Sequence, residues 1–211
     1  NSILPGTGSS GEGGEIPGGS EAVEQGAISF TNPIWANEKA SVTISTNTSY
    51  TMQYQVAAKE EASNDSNWKV VPEGGLIGNL NHRDVVYARL VQGTNYGEEA
   101  STTIKDENPP TISNIATSNI TTSSISVTVT ATDNETGIAS YTYSTTGKSP
   151  VTTANASYTF TGLNAETEYT IQVTVTDKAG KEATQSVQAT TEEEKSEVAE
   201  AIENNTSYTN T

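Results

Sequence analysis

The feature that most constrains this chain is a strict alternation of apolar side chains with Ser, Thr and Gln. Successive side chains of a β-strand point to opposite faces, so such a run predicts a strand with one buried face and one exposed face. The two clearest runs lie at 125–131 and 169–175. Their apolar members are Ile125, Val127, Val129, Ala131, Tyr169, Ile171, Val173 and Val175.

Shorter alternating runs and turn signals extend this pattern over most of the chain. Turn-forming clusters at 133–137 and 177–180 separate the runs. Strands of about six residues, with turns every 8 to 12 residues, are typical of an all-β sandwich. The shorter runs comprise Tyr50, Met52, Tyr54 and Val56, and the pair Tyr158 and Phe160.

An internal repeat predicts two copies of one fold. When the chain is shifted by 83 residues, Val42 falls on Ile125 and Leu80 falls on Leu163. We therefore predict a divergent sandwich over 27–105, a short linker over 106–110 and a second sandwich over 111–191. Two prolines in the linker, Pro109 and Pro110, favour extended backbone and a stiff joint.

The two ends of the chain have a different composition. Residues 1–26 are rich in Gly, Ser and Pro and residues 192–211 are acidic, so we expect a disordered linker and a frayed tail. The sequence has no basic start followed by an apolar stretch, and no apolar run near 18 residues. We therefore expect neither a signal peptide nor a membrane span in this sequence, which we interpret as a monomeric fragment of a longer chain.

Charge and residue usage exclude several classes of function. The 26 acidic residues outnumber the 10 basic residues, which disfavours nucleic-acid binding. Cys is absent and His82 is the only imidazole, so neither a thiolate nucleophile nor a His cluster can form. The repeat places His82 in a polar connection between two strands, where we expect solvent exposure. Carboxylate pairs of the glycosidase type need a cleft that two thin sandwiches rarely offer, so we expect no catalytic residues and no enzyme.

The second sandwich resembles a fibronectin type III module or a closely related bacterial immunoglobulin-like module. The resemblance rests on Gly162-Leu163, on Tyr169 six positions later, and on the turn at 177–180. It implies that Leu163 fills the bottom of the core and that the hydroxyl of Tyr169 bonds back to the chain upstream. The first sandwich resembles the family more weakly, because Val86 stands where the corner tyrosine would be.

The same resemblance places two loops of the second module beside the linker. Carboxylates from the loops and the linker would then converge, and hard oxygen ligands suit Ca²⁺. A hydrated acidic edge without metal is the alternative, and no other cofactor is expected. The candidate ligands are Asp106, Glu107, Asp133, Glu135 and Asp177.

Three aromatic residues of the first module are candidates for binding a sugar ring. Tyr96 falls in a loop between two strands, whereas Trp35 and Trp68 lie near strands. Tryptophan at a strand edge is more often part of a core, which is the alternative for both.

These observations favour a non-enzymatic role. The resemblance to modules of secreted surface proteins of anaerobic Gram-positive bacteria implies an extracellular location, at the cell surface or in the cell wall. The leading hypothesis is a structural spacer of a bacterial surface protein, with Ser and Thr on its outward faces. One alternative is an adhesion module for a host protein or glycan, and the other is an accessory module of a secreted polysaccharide-degrading enzyme.

Overall fold

A computed structural model describes residues 28–195, which form two β-sandwiches. The expected linker over 1–26 lies outside the described residues, as does the tail from 196 onwards. Within 28–195 no helix reaches the length and apolar character needed to cross a bilayer.

The elements are β1 (Ile28–Phe30), β2 (Ile34–Ala36), β3 (Lys39–Thr46), β4 (Thr51–Ala57), the 3-10 turn η1 (Ala58–Glu60), β5 (Lys69–Val70), β6 (Leu76–Leu80), β7 (Val85–Gln92), β8 (Asn95–Tyr96), β9 (Ala100–Thr103), β10 (Thr111–Ser118), β11 (Ser124–Thr132), β12 (Ile138–Thr145), β13 (Val151–Thr153), β14 (Ser157–Thr161), β15 (Glu168–Asp177) and β16 (Glu182–Thr190).

The second sandwich packs a three-stranded sheet on a four-stranded sheet. The strand orders are β10-β11-β14 and β13-β12-β15-β16, with antiparallel pairing throughout. On each strand the apolar residues of the alternating pattern face inward, between the two sheets. Their burial removes apolar surface from water, which favours folding. The buried core contains Ile112, Ile125, Val127, Val129, Tyr141, Tyr143, Phe160, Leu163, Tyr169, Ile171, Val173, Val175 and Ala189.

The first sandwich has the same two-sheet arrangement with an interrupted first strand. Strands β1 and β2 pair with successive segments of β3, and β6 also pairs with β3. The register shifts by one residue between the pairs Phe30↔Ile44 and Ile34↔Ser41, a bulge that coincides with Pro33. Strands β5, β4, β7 and β8 form the other sheet, to which β9 adds by pairing with β7.

The all-β sandwich fold is confirmed. Val42 and Leu80 are buried in the first core, as Ile125 and Leu163 are in the second. The last strand of the first sandwich ends at Thr103 and the first strand of the second begins at Thr111.

The burial expected from the alternating run in β4 is wrong at the end of the strand. Val56 is 41% exposed whereas Gln55 is 2% exposed. The connection between β4 and β5 lies over the outer face of the sheet, where the amide of Gln55 pairs with the backbone of Asn64: Nε2 donates to O at 3.1 Å and Oε1 accepts from N at 3.0 Å. Burial of a polar side chain is tolerated here because both of its polar atoms are satisfied.

Candidate functional site

Asp106 of the linker is the residue at which the two sandwiches meet. Its backbone N–H donates to Nδ1 of His82 at 3.0 Å, and its Oδ2 accepts from Oγ1 of Thr136 at 2.6 Å. His82 belongs to the first sandwich and Thr136 to the second, so one residue is bonded to both. The side chain of Asp106 is almost fully enclosed, and the whole residue is 1% exposed.

The expected solvent exposure of His82 is wrong. The connection between β6 and β7 lies against the end of the first sandwich just before the linker, where Arg83 N donates to Ile104 O at 2.7 Å. This contact leaves His82 half-buried and places its Nδ1 as the acceptor for Asp106. Nδ1 of the imidazole is therefore occupied by a structural hydrogen bond.

Two further aspartates reach the same place from the loops of the second sandwich. Asp133 follows β11, and its Oδ1 accepts three backbone N–H bonds at 2.7 to 3.1 Å, from the residues at 135, 136 and 137. Asp177 ends β15, and its Oδ1 accepts from the N–H groups of Ala179 and Lys181, both at 2.8 Å. Each aspartate thus shapes its loop with one oxygen only.

The three aspartates converge. One carboxylate oxygen from each of Asp106, Asp133 and Asp177 lies within 4.8 Å of the others. Asp177 is 2% exposed, and its Oδ2 is buried with no hydrogen-bond partner. The described part of the chain has salt bridges elsewhere, but none of them joins these three carboxylates to a Lys or Arg. We call these three residues the junction cluster.

The other two predicted ligands occupy different positions. Glu135 lies beside the junction cluster, where burial and the nearby Asp106 carboxyl raise its pKa, and the bond its Oε1 accepts from Asn108 Nδ2 at 2.6 Å partly offsets this rise. Glu107 points outward with its side chain 70% exposed, and its Oε2 lies 3.8 Å from Nζ of Lys181. The structure therefore brings four of the five predicted residues together and leaves Glu107 at the rim.

A second contact across the junction involves a hairpin that the sequence analysis missed. Asn37 and Glu38 connect β2 to β3 with φ values of 52° and 60°, as a two-residue hairpin turn with both central φ positive requires. The carboxylate of Glu38 accepts from Nζ of Lys178 at 2.5 Å. A Cβ atom at Gly137 would lie 2.5 Å from Oε1 of Glu38, so this glycine permits the close approach. A turn dipeptide in the sequence indicates a hairpin, but the neighbouring residues do not indicate which distant residues the hairpin contacts.

The three predicted aromatic residues separate into two groups. The guanidinium of Arg89 lies over the ring of Trp68 at 4.0 Å and over the ring of Tyr96 at 3.9 Å, on the outer face of the β4–β7 sheet. Tyr96 is 56% exposed. Trp35 lies on β2 and packs against the first core. This agrees with the alternative that a tryptophan at a strand edge is part of a core.

The structural residues of the second module show a tyrosine corner. Tyr169 Oη accepts the backbone N–H of Asn164 at 2.9 Å, and Leu163 is buried beneath it. In the first module a different group accepts the corresponding backbone N–H. The N–H of Asn81, which the repeat aligns with Asn164, donates to Oδ2 of Asp84 at 2.7 Å. A buried carboxylate therefore replaces the tyrosine hydroxyl as the acceptor, because Val86 carries no polar atom.

Comparison with known proteins agrees with this architecture. Residues 108–192 match the Fibronectin type III domain family. No curated protein matches the chain. A two fibronectin type III domain segment from chicken tenascin is similar in structure, with 14% identity and a TM-score of 0.50 over 79% of this chain and 98% of that chain. This likeness covers both sandwiches and shows the fold.

Two other solved structures are similar over smaller shares of their own length. Chitinase ChiA74 from Bacillus thuringiensis is 30% identical with a TM-score of 0.39, over 43% of this chain and 15% of that chain. The chicken CNTN1 FN1–FN3 domains are 16% identical with a TM-score of 0.38, over 80% of this chain and 68% of that chain. Residues 108–192 thus match the Fibronectin type III domain family, and the two sandwiches together share the fold of a tandem of such domains.

Proposed function

We propose that these two modules are a non-enzymatic spacer of an extracellular bacterial surface protein. The observation that carries the proposal is the bonded joint: Asp106 is tied to His82 on one side and to Thr136 on the other. Two domains of one chain move relative to each other by default, so a fixed orientation needs contacts that restrict the motion. A joint with such contacts holds two modules in one orientation, as a spacer requires.

The outward faces of the sheets support the same role. Hydroxyl pairs bridge neighbouring strands there, such as Thr142 with Thr152 at 2.8 Å and Thr174 with Thr184 at 2.9 Å. Cross-strand hydroxyl pairs stabilise a sheet without adding apolar area to its surface. The net charge of −16 adds solubility and repulsion between neighbouring copies.

Small-angle scattering of the 211-residue chain tests the fixed joint. We expect a single orientation of the two modules to account for the curve. The control is a variant with a six-residue Gly-Ser insertion between Asn108 and Pro109, which should require an ensemble of orientations. If the unmodified chain requires the same broad ensemble as the insertion variant, the rigid spacer is ruled out.

The extracellular bacterial context needs a separate measurement. Antibodies raised against the chain should detect the parent protein in the secreted or cell-wall fraction of the cells that produce it. Detection in the cytoplasmic fraction alone would contradict this part of the proposal.

A second candidate is adhesion through the outer face of the first module. The stack of Trp68, Arg89 and Tyr96 favours it, since aromatic rings bind sugars and Arg binds carboxylates. A glycan array probed with the chain and with the Tyr96→Ala variant distinguishes the two functions. Binding that disappears in the variant supports adhesion, and binding that is absent or unchanged does not.

A further inference from the structure

We propose that the junction cluster of Asp106, Asp133 and Asp177 binds one Ca²⁺ ion, with Glu135 as a fourth carboxylate at its edge. The ligands come from three separate segments: the linker, the loop after β11 and the turn after β15. Such a site would tie both loops of the second module to the linker, and through Asp106 to the first module. It does not depend on the spacer role, because a protein with any function could carry it.

The first argument is electrostatic. Asp106 and Asp177 are 1% and 2% exposed, and their carboxylates lie within 4.8 Å of a third one. Carboxylates taken out of water require a compensating charge, and within residues 28–195 no Lys or Arg forms a salt bridge with any member of the junction cluster. A bound cation provides that charge.

The second argument is an unpartnered atom. Buried polar atoms in proteins nearly always have a hydrogen-bond partner. Oδ2 of Asp177 has none, although Oδ1 of the same carboxylate accepts from Ala179 N and Lys181 N. The two bonds fix the carboxylate plane and leave Oδ2 free to bind a ligand.

The other two members of the cluster are held in a comparable way. The three backbone bonds to Asp133 all go to Oδ1, so Oδ2 takes no part in the hydrogen bonding of the loop. Asp106 accepts from Asn108 N through Oδ1 and from Thr136 Oγ1 through Oδ2, which fixes its orientation. A set of carboxylates oriented before the ion arrives loses less conformational entropy on binding.

The ligand chemistry selects the type of cation. The cluster offers oxygen atoms only, and the sole imidazole nitrogen near it, Nδ1 of His82, already accepts from Asp106 N. Hard oxygen ligands suit Ca²⁺, which takes six to eight oxygens at 2.3 to 2.6 Å with flexible geometry. Oxygens that surround one ion at about 2.4 Å lie no more than about 4.8 Å apart, as the three aspartates do. Water molecules would complete the coordination.

Isothermal titration of the full 211-residue chain with CaCl₂ tests the proposal. We expect one saturable site and, in thermal unfolding, a Tm at least about 5 °C higher in excess Ca²⁺ than in EGTA. MgCl₂ should bind more weakly, since Mg²⁺ demands near-octahedral geometry and loses its waters reluctantly. If calcium gives no saturable binding and no change in Tm, the site does not exist.

Two matched variants separate the site from the general acidity of the chain. Asp177→Asn and Glu107→Gln each remove one negative charge at the junction, but only Asp177 belongs to the cluster. We expect Asp177→Asn to weaken binding by at least about tenfold and Glu107→Gln to change it by less than about twofold. Equal effects of the two variants would overturn the proposal.

A third measurement does not depend on any variant folding. In a Ca²⁺ titration followed by amide NMR, the shifts should concentrate at residues 106–108, 133–137 and 177–181. Shifts spread over the acidic surface would show diffuse counterion binding and would overturn the site.

Discussion

At the residue scale, each sandwich has one side chain that accepts the same backbone N–H. This N–H lies in the connection before β15 in the second module and in the connection before β7 in the first. In the second module the hydroxyl of Tyr169 accepts the N–H of Asn164, and in the first module the carboxylate of Asp84 accepts the N–H of Asn81. A buried N–H left without an acceptor costs free energy comparable to a lost hydrogen bond. The two modules therefore keep the same bond and differ only in the chemical group that accepts it.

Replacement of Tyr169 by Phe removes this acceptor and leaves the ring in place. We expect the Tyr169→Phe variant to lose about 1 kcal/mol of unfolding free energy, measured by urea denaturation, with no change in fold. Tyr158→Phe is the matched control, because Tyr158 is half-buried in the same module and its ring packs edge-on against Phe160. Its loss should stay within about 0.5 kcal/mol. Equal stabilities of the wild type and the Tyr169→Phe variant would contradict a role for the corner.

At the scale of elements, the hairpin between β2 and β3 reaches the second module through Glu38. The carboxylate of Glu38 lies against Gly137 and binds Lys178, whose backbone N–H donates to Gly137 O at 2.9 Å. The loop after β11 and the turn after β15 are thereby joined to each other and to the hairpin. A loop conformation in one module thus depends on a turn in the other.

The consequence is a difference between two glycines with similar backbone angles. Gly137 has a φ of 82° and Gly147 a φ of 77°, but only a Cβ at Gly137 would strike Glu38. We expect Gly137→Ala and Gly147→Ala to lose about 1 kcal/mol each from backbone strain. Only Gly137→Ala should also change the orientation of the two modules, measured by small-angle scattering. The same scattering curve for both variants would show that the Glu38 contact does not position the modules.

At the scale of the whole molecule, one buried contact and one exposed contact join the two sandwiches. The exposed pair of Glu38 and Lys178 contributes little, since both side chains are 52% exposed and the charges are screened by salt. The bond from Thr136 Oγ1 to Asp106 Oδ2 is buried, so it is the stronger connection.

Removal of that hydroxyl should weaken the joint. In EGTA we expect Thr136→Val to cost about 1.5 to 3 kcal/mol, because it deprives a buried carboxylate of a donor. The control Thr174→Val removes one partner of the exposed Thr174–Thr184 pair and should cost less than about 0.5 kcal/mol. The measurement is chemical unfolding of the full chain. Similar losses for the two variants would mean that the buried bond does not stabilise the joint.

The sequence by itself determined the fold of this protein. Alternation with period 2 identifies a strand locally, since a one-residue shift would move every apolar side chain to the wrong face. Residues such as Ile125 and Val173 could therefore be assigned to a core without knowledge of their partners. The prediction failed for β4, where Gln55 is buried, because the connection between β4 and β5 covers that face and the alternation within the strand does not show its path.

Only the tertiary structure decided what the junction contains. The family pattern placed the acidic loops and the linker at one end of the second module, but it did not distinguish the buried Asp106 from its exposed neighbour Glu107. That difference depends on contacts with His82 and Thr136, which lie 24 and 30 residues away along the chain. Periodicity records which face of a strand is buried, whereas the environment of a charged linker residue depends on long-range contacts that carry no local signal.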